Sequence, residues 1–372
     1  MSVQVSYKKQ VTLGLLLILV FLGSVELIVR IAEFFEPPNC SFIHNDAFDE
    51  TNYFLKRQLC SNVNQLVYED DSIRLISPNQ HFPTININSH GFRGQEIEVE
   101  KPANTVRIFL IGGSTTFGAG STSDYNTVPG YLQKEFDKKK LDFQVEVINA
   151  GVPGSHSLWE SFYIKNHLLK FQPDILIVYD GWNDVGGLGL NAKIEDDKDI
   201  TSEFEFRFKN FPFYRTPFFI NYHFLKHYQT PPQVTDKTNS MDSNKIVESW
   251  RDNWKEICDL ENKYGYKTIL IVQASARSGN KVLVGNEELV SKTDQVFLER
   301  LGAMAKQLPD LINNCYKTAD LRNVFDNTKE VVFYDLVHTN DLGNEIIAKK
   351  FFEIAYPPVL EKNSTMHFEP KN

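Results

Sequence analysis

Cysteine is scarce in this sequence, with four residues in 372, at positions 40, 60, 258 and 315. None sits in a Cys-x-x-Cys or mixed Cys/His spacing, so no metal site is expected. An excess of positive charge is also missing: 39 Lys and Arg against 48 Asp and Glu leave a net charge of -9. A surface that binds phosphate backbones needs clustered basic residues, so nucleic acid is excluded as a partner. No internal repeat or strongly low-complexity run recurs, which removes solenoid architectures. With 42% hydrophobic and 23% charged positions, the composition is that of a globular chain long enough for one large core or two modest ones.

Charge is absent altogether from one stretch. Val11 to Val25 (VTLGLLLILVFLGSV) carries none and follows Lys8 and Lys9. A membrane-spanning helix needs about 20 largely apolar residues, a length reached if the run continues to Ile31 with Glu26 and Arg30 near the interface. A cleavable signal peptide is the rival reading, but Gly23 and Ser24 match its small-residue pattern poorly and the apolar character continues past them. A buried core helix would carry a polar face, and this run has none. The expected layout is a cytoplasmic tail over 1–10, a transmembrane anchor over 11–31 and an extracytoplasmic remainder, because positive charge on a short leading tail holds that end in the cytoplasm. An oxidising location suits the cysteines, Cys40 and Cys60 closing a short loop and Cys258 and Cys315 joining helices, with buried free thiols as the alternative. Asn39-Cys40-Ser41 and Asn363-Ser364-Thr365 match the glycosylation acceptor pattern, which is too short to decide anything.

Beyond the anchor, residues 36–104 show no sustained periodicity and read as an extracytoplasmic linker or accessory region holding the main domain off the bilayer. From Thr105 short apolar runs alternate with longer amphipathic stretches, the pattern of parallel strands joined by helices. Val106 to Ile111 is nearly continuous in apolar character, as a strand buried on both faces must be. Further strands are expected at Val145 to Asn149, Asp174 to Tyr179, Lys267 to Val272 and, last, Val331 to Tyr334. Helices are expected at Val128 to Lys138, Trp159 to Phe171, Ser243 to Tyr264, over a long stretch from Asn286 to Ala319, and at Leu342 to Ala355. An insertion over 186–242 carries an aromatic cluster (Phe204, Phe206, Phe208, Phe211, Phe213, Tyr214, Phe218, Phe219, Tyr222) that could cap a site, touch a bilayer or pack as an extra hairpin. The tail from Pro357 to Asn372 reads as loose.

Ligands of open parallel sheets bind outside the carboxyl ends of the strands, and four segments of unusual composition lie at such ends. Gly112-Gly113-Ser114-Thr115-Thr116-Phe117-Gly118 places a serine at a strand-to-helix turn; alone it could be a helix cap or a phosphate cradle, but no Lys follows in a Walker-like position. Asn149-Ala150-Gly151-Val152-Pro153-Gly154-Ser155 has glycines that let a backbone N–H approach an oxygen. Asp180-Gly181-Trp182-Asn183-Asp184 offers a side-chain amide, unless Asn183 is a turn or cap residue. Asp335-Leu336-Val337-His338 can set an imidazole in a cleft with a carboxylate orienting its ring.

In order and spacing, these four segments resemble the sequence blocks of the SGNH (GDSL-like) hydrolase superfamily, over Thr105 to Ala355. The resemblance implies a flavodoxin-like, three-layer α/β/α fold with a mostly parallel sheet, in a domain over 105–356. It makes Ser114 the nucleophile, Asp335 and His338 its partners, and Ser114, Gly154 and Asn183 the oxyanion donors, with no metal or organic cofactor. Where many members carry Gly-Asp-Ser-Leu, this chain has Gly112-Gly113-Ser114-Thr115, as in GGST-type, membrane-bound members; Asn88-Ser89-His90-Gly91-Phe92-Arg93-Gly94 is similar to the approach segment of those relatives. The implied activity is that of a membrane-anchored serine esterase acting on an acylated glycan or lipid. Two alternatives stay open: an O-acyltransferase acting on cell-surface glycan, and a non-catalytic surface or assembly protein that keeps the fold.

Overall fold

The computed structural model describes residues 6–35, 42–63, 65–69, 75–187 and 241–366. These belong to two compact units. The first contributes one helix, α1 (Tyr7–Phe35), whose span from Tyr7 to Ala32 has 26 residues and a mean hydropathy of 2.5. At about 1.5 Å of rise per residue that is about 39 Å of helix, against a hydrocarbon core of about 30 Å. By length and composition α1 is able to cross a membrane. Near its end Arg30 pairs with Glu26 at 3.0 Å, one turn apart, so the two charges enter that end of the helix as a pair.

The second unit is built on a five-stranded parallel sheet: β1 (Thr105–Gly112), β2 (Gln144–Asn149), β3 (Ile175–Asp180), β4 (Lys267–Val272) and β5 (Lys317–Asp320). Their order is β2-β1-β3-β4-β5, every neighbouring pair parallel. Side chains alternate between the sheet's two faces, as the pleat requires. Val106, Ile108 and Leu110, with Ile175, Ile177, Ile269 and Ile271, enter one core; Phe109, Ile111, Leu176, Val178, Leu270 and Val272 enter the other. Helices α3 (Val128–Asp137) and α7 (Asp341–Met366) cover the first face. Helices α4 (Ser157–Tyr163), α5 (Ser243–Asp259) and α6 (Gln295–Ala305) cover the second. The expected three-layer α/β/α plan is what forms. Local chemistry starts each helix where it is needed: the Thr127, Asp242 and Asp294 side chains accept N–H groups from the first turns of α3, α5 and α6. Ile246, Val247, Trp250, Trp254, Ile257 and Cys258 recur at helical spacing and are buried.

Five expectations need correction. The described part of 36–104 is no detached linker, because Phe42, Phe48, Leu59, Leu66, Ile76, Ile85, Ile87 and Phe92 are all buried in the same unit as the sheet. Helix α2 (Tyr53–Val63) and a two-residue hairpin pairing Gln80–His81 with Asn86–Ile87 form there. The stretch Asn286 to Ala319 is not one helix but Glu287–Val290, α6 and Leu308–Leu311, followed by β5; Pro309 lacks the N–H to continue a helix and opens a new one instead. The fifth strand is therefore β5, an edge strand whose half-buried Lys-Thr-Ala-Asp pattern hides it from a search for apolar runs. Val331 to Tyr334 forms only an isolated bridge, Phe333 to Thr339.

The tail is likewise not loose as far as Met366. Helix α7 runs through Pro357 and Pro358; Val359 is buried, Glu361 accepts from Tyr316 Oη at 3.0 Å, and Lys362 Nζ donates to the Gly265 carbonyl at 3.0 Å. Cys258 and Cys315 are joined in a disulfide, which ties α5 to the lead-in of β5 rather than joining two helices. Cys40 and the aromatic cluster at 204–222 lie outside the described residues.

Candidate active site

The strand order reverses direction between β1 and β3, and at such a switch point the loops leaving the carboxyl ends part to form a crevice. Ser114 leaves β1 here and Asn183 leaves β3 here. Ser114 opens a single helical turn, Ser114–Phe117, that ends at the left-handed Gly118. The turn is close-packed: a Cβ placed on Gly113 would lie 2.4 Å from Asn183 Nδ2. Glycine at 113 is thus what lets the Asn183 amide lie against the elbow that carries Ser114.

His338 reaches the same point from the other side. Its Nε2 lies 2.6 Å from Ser114 Oγ and its Nδ1 lies 2.7 Å from Asp335 Oδ2. The second oxygen, Asp335 Oδ1, accepts the backbone N–H groups of Val337 at 2.9 Å and His338 at 2.8 Å. Partial burial pushes the Asp335 carboxyl up, but the His338 charge and these hydrogen bonds outweigh it and hold the group below the usual carboxylate range. Asp335 is therefore an anion at neutral pH, and an anion on Nδ1 selects the tautomer whose Nε2 is free to accept the serine proton.

The turn after β2 is fastened to the end of β1. Val152 N donates to the Gly112 carbonyl at 2.9 Å, and Ser155 Oγ lies 3.2 Å from the same carbonyl. Gly154 projects from this turn with φ +80°, a backbone conformation that side chains disfavour; it is exposed, and its N–H has no partner among the described residues. Asn183 Nδ2 donates one of its two hydrogens to the Ser155 carbonyl at 2.5 Å, leaving the other for a ligand.

Of the expected residues, Ser114, His338 and Asp335 form one hydrogen-bonded chain, Asn183 packs beside it, and Gly154 stands on the adjoining turn. Sequence reasoning missed the residues that brace them. Tyr334 stacks on the His338 ring, 5.5 Å between centroids and 12° from parallel, and donates its hydroxyl to the Ala119 carbonyl at 2.7 Å. Phe42 and Phe48 pack on Tyr334 in turn, and Asn45 Nδ2 donates to its carbonyl at 2.7 Å. On the serine side, buried Arg93 donates to the carbonyls of Phe117 at 3.0 Å and Gly118 at 2.8 Å and pairs with Asp124 at 2.8 Å. The only available signals were the position of Tyr334 just before Asp335 and of Arg93 in the His-Gly-Phe-Arg-Gly run.

Residues 110–346 match the model of the GDSL-like lipase/acylhydrolase family. No curated protein matches the chain. Similar solved structures include an acetyl xylan esterase, AlAXEase, at 18% identity, covering 67% of this chain and 99% of that one with a TM-score of 0.39. Another is LAE5, an α/β hydrolase from the metagenome of Lake Arreo in Spain, at 13% identity, 68% and 95% coverage and a TM-score of 0.42. A third is the acetylxylan esterase Axe2 of Geobacillus stearothermophilus, at 14% identity, 67% and 93% coverage and a TM-score of 0.40.

Proposed function

Since this chain belongs to the GDSL-like lipase/acylhydrolase family, whose members hydrolyse esters, we propose that it is a membrane-anchored serine esterase that cleaves O-acyl esters of carbohydrate or lipid through an acyl-enzyme on Ser114. The observation that carries this reading is the continuous relay from Ser114 Oγ to His338 Nε2 at 2.6 Å and from His338 Nδ1 to Asp335 at 2.7 Å. His338 takes the hydroxyl proton as Ser114 attacks the ester carbonyl, and Asp335 stabilises the imidazolium that results. The developing oxyanion is met by the N–H groups of Ser114 and Gly154 and by the free hydrogen of the Asn183 amide. His338 then returns its proton to the departing alcohol, and water, activated by the same imidazole, releases the acid. Each oxyanion donor is worth about 3 to 4 kcal/mol of barrier. Helix α1 fits the role of anchor by its length and apolar composition, with the catalytic unit on the extracytoplasmic side and the N-terminus in the cytoplasm.

The test is hydrolysis of p-nitrophenyl acetate by the full-length chain in detergent. Ser114→Ala is expected to lower kcat by at least about 10⁴-fold and Asn183→Ala by about 10² to 10³-fold, with both variants folded. Wild-type protein that neither turns over the ester nor takes a fluorophosphonate on Ser114 would leave the non-catalytic surface protein as the better reading. Retained turnover in Ser114→Ala would move the nucleophile elsewhere.

A further inference from the structure

Directly behind the oxyanion side of the crevice lie three carboxyl groups with almost no solvent: Glu160 on α4, Asp180 at the end of β3 and Asp184 on the turn that carries Asn183. Among the described residues no Lys or Arg pairs with any of the three. Asp180 and Asp184 each have an evident structural task. Asp180 Oδ2 accepts the indole N–H groups of Trp250 and Trp254, both at 3.1 Å, and Asp184 accepts the N–H and hydroxyl of Ser157 at the start of α4. Glu160 has no such task. Its Oε1 touches Ser155 Oγ at 2.5 Å, and its Oε2 is buried without a hydrogen bond among the described residues.

An ionised Glu160 would leave one anionic oxygen bare in the interior, facing two more carboxyl groups, which is among the most costly arrangements a protein can hold. Burial first, then the charge of Asp180, pushes this carboxyl well above its ordinary range, against the smaller opposite effect of the Ser155 hydrogen bond. The neutral acid resolves the geometry. Its O–H donates to Ser155 Oγ, which frees the single Ser155 proton for the Gly112 carbonyl 3.2 Å away. Ser155 thereby becomes a clasp: its hydroxyl holds the end of β1, two residues before Ser114, while its own carbonyl holds the Asn183 amide.

We propose that Glu160 is a positioning residue of the oxyanion hole, its neutral carboxyl donating to Ser155 so that the Ser155 peptide holds the Asn183 amide over Gly113. The inference rests on the esterase reading above, in which Asn183 stabilises the oxyanion. Glu160 itself touches no reacting atom. Its effect belongs to the transition state, where the Asn183 donor counts, and not to ground-state binding.

The experiment measures kcat and KM for p-nitrophenyl acetate, and the rate of fluorophosphonate labelling of Ser114, in the full-length protein and six variants. Glu160→Ala is expected to lower kcat and the labelling rate about tenfold with KM unchanged, a fraction of the loss on removing the donor outright. Glu160→Gln, which keeps a neutral donor of the same shape, is expected to restore the rate to within about threefold of wild type. Glu160→Ala combined with Asn183→Ala is expected to be no slower than Asn183→Ala alone, because the clasp has nothing left to hold. Ser155→Ala covers the case in which Glu160→Ala does not fold: it is expected to lower kcat about tenfold at constant KM, with Glu160→Gln adding nothing on that background. The proposal is overturned if Glu160→Gln is as slow as Glu160→Ala, if the Glu160 and Asn183 effects multiply, or if KM rises while kcat holds. An Asn183→Ala protein as fast as wild type would instead overturn the oxyanion assignment itself, and this proposal with it. A slow Asn183→Ala beside a fully active Glu160→Ala would overturn the clasp alone.

Discussion

Ser114 stands at the end of a strand whose eight residues are all buried, between two neighbours that pair with it along most of its length. His338 stands in a loop whose only regular pairing among the described residues is the bridge from Phe333 to Thr339. The serine is held by backbone: glycines that admit close approach, and an arginine that gathers the carbonyls of the helical turn. The histidine is held by side chains from far away in sequence. Phe42, Asn45 and Phe48 support Tyr334, and Asn340 Nδ2 donates to the Ala47 carbonyl at 2.9 Å. One half of the site is thus a property of the sheet, and the other half depends on a segment almost 300 residues upstream. Under the proposed mechanism, a nucleophile held by the sheet and a separately braced base would lose rate in two distinguishable ways.

Replacing Arg93 by Met gives the largest effect on stability expected from this comparison. It leaves Asp124 without its cation and the Thr84 carbonyl, which Arg93 also reaches at 2.8 Å, without a donor among the described residues, while the Phe117 carbonyl keeps Asn149 Nδ2 and the Gly118 carbonyl keeps Ser121 N. Urea denaturation should register a loss of about 3 to 5 kcal/mol. Under conditions where the variant stays folded, kcat should remain within about threefold of wild type, since the sheet still places the serine; a loss near 1.4 kcal/mol of barrier, tenfold in rate, would break the comparison. Asn45→Ala tests the opposite half. It leaves the Tyr334 carbonyl and the Ala47 N–H, both now paired with Asn45, without partners, at about 1 to 3 kcal/mol. Here the rate is expected to fall by more than stability alone explains, with KM unchanged; an Asn45→Ala enzyme at full speed when folded would show that the Tyr334 loop holds itself.

The buried carboxyl cluster sharpens the contrast through pH. Burial raises Asp180 from its ordinary value of 3.8 to about 6, so between these two values the folded protein binds more protons at this site than the unfolded chain does. Stability from this group is accordingly lost as pH rises through that window, the reverse of a salt-bridged carboxylate. The melting temperature of Asp180→Asn minus that of wild type should therefore climb between pH 4 and pH 7. A difference that stays flat or declines would mean that Asp180 is ionised at no cost, and that the cluster is less dry than its packing implies.

The sequence makes the serine half of this site legible because its determinants are local: apolar runs mark β1 and β3, and glycines mark the turns that follow. The alternation of short apolar runs with longer amphipathic stretches likewise predicts the layered plan. What stays hidden is non-local. Nothing in Phe42, Asn45 and Phe48 announces that they face Tyr334, and the mixed polarity of residues 42–104 disguises a segment that packs as core. β5 escapes because an edge strand with one covered face needs few apolar residues, and α7 because Pro357 and Pro358 read as an ending in a chain whose later residues, Val359, Glu361 and Lys362, have docking partners. Glu160 escapes for another reason. A glutamate four residues into a helix looks like a solvated charge until the fold shows it walled in beside Asp180 and Asp184.

The other sheet edge, β2, carries its own safeguard. On α3, Gln133 turns its amide sideways onto the strand: Oε1 accepts the Val147 N–H at 2.8 Å and Nε2 donates to the Val145 carbonyl at 2.9 Å. One side chain thus occupies the donor and acceptor that a foreign strand would seize first, and Arg93 N takes the Asn149 carbonyl just beyond, at 3.2 Å. An open parallel sheet is an invitation to edge-to-edge association. Were α1 to hold the chain in a membrane, as proposed, copies would meet often in its plane, and a plugged edge would keep those encounters from growing into polymers.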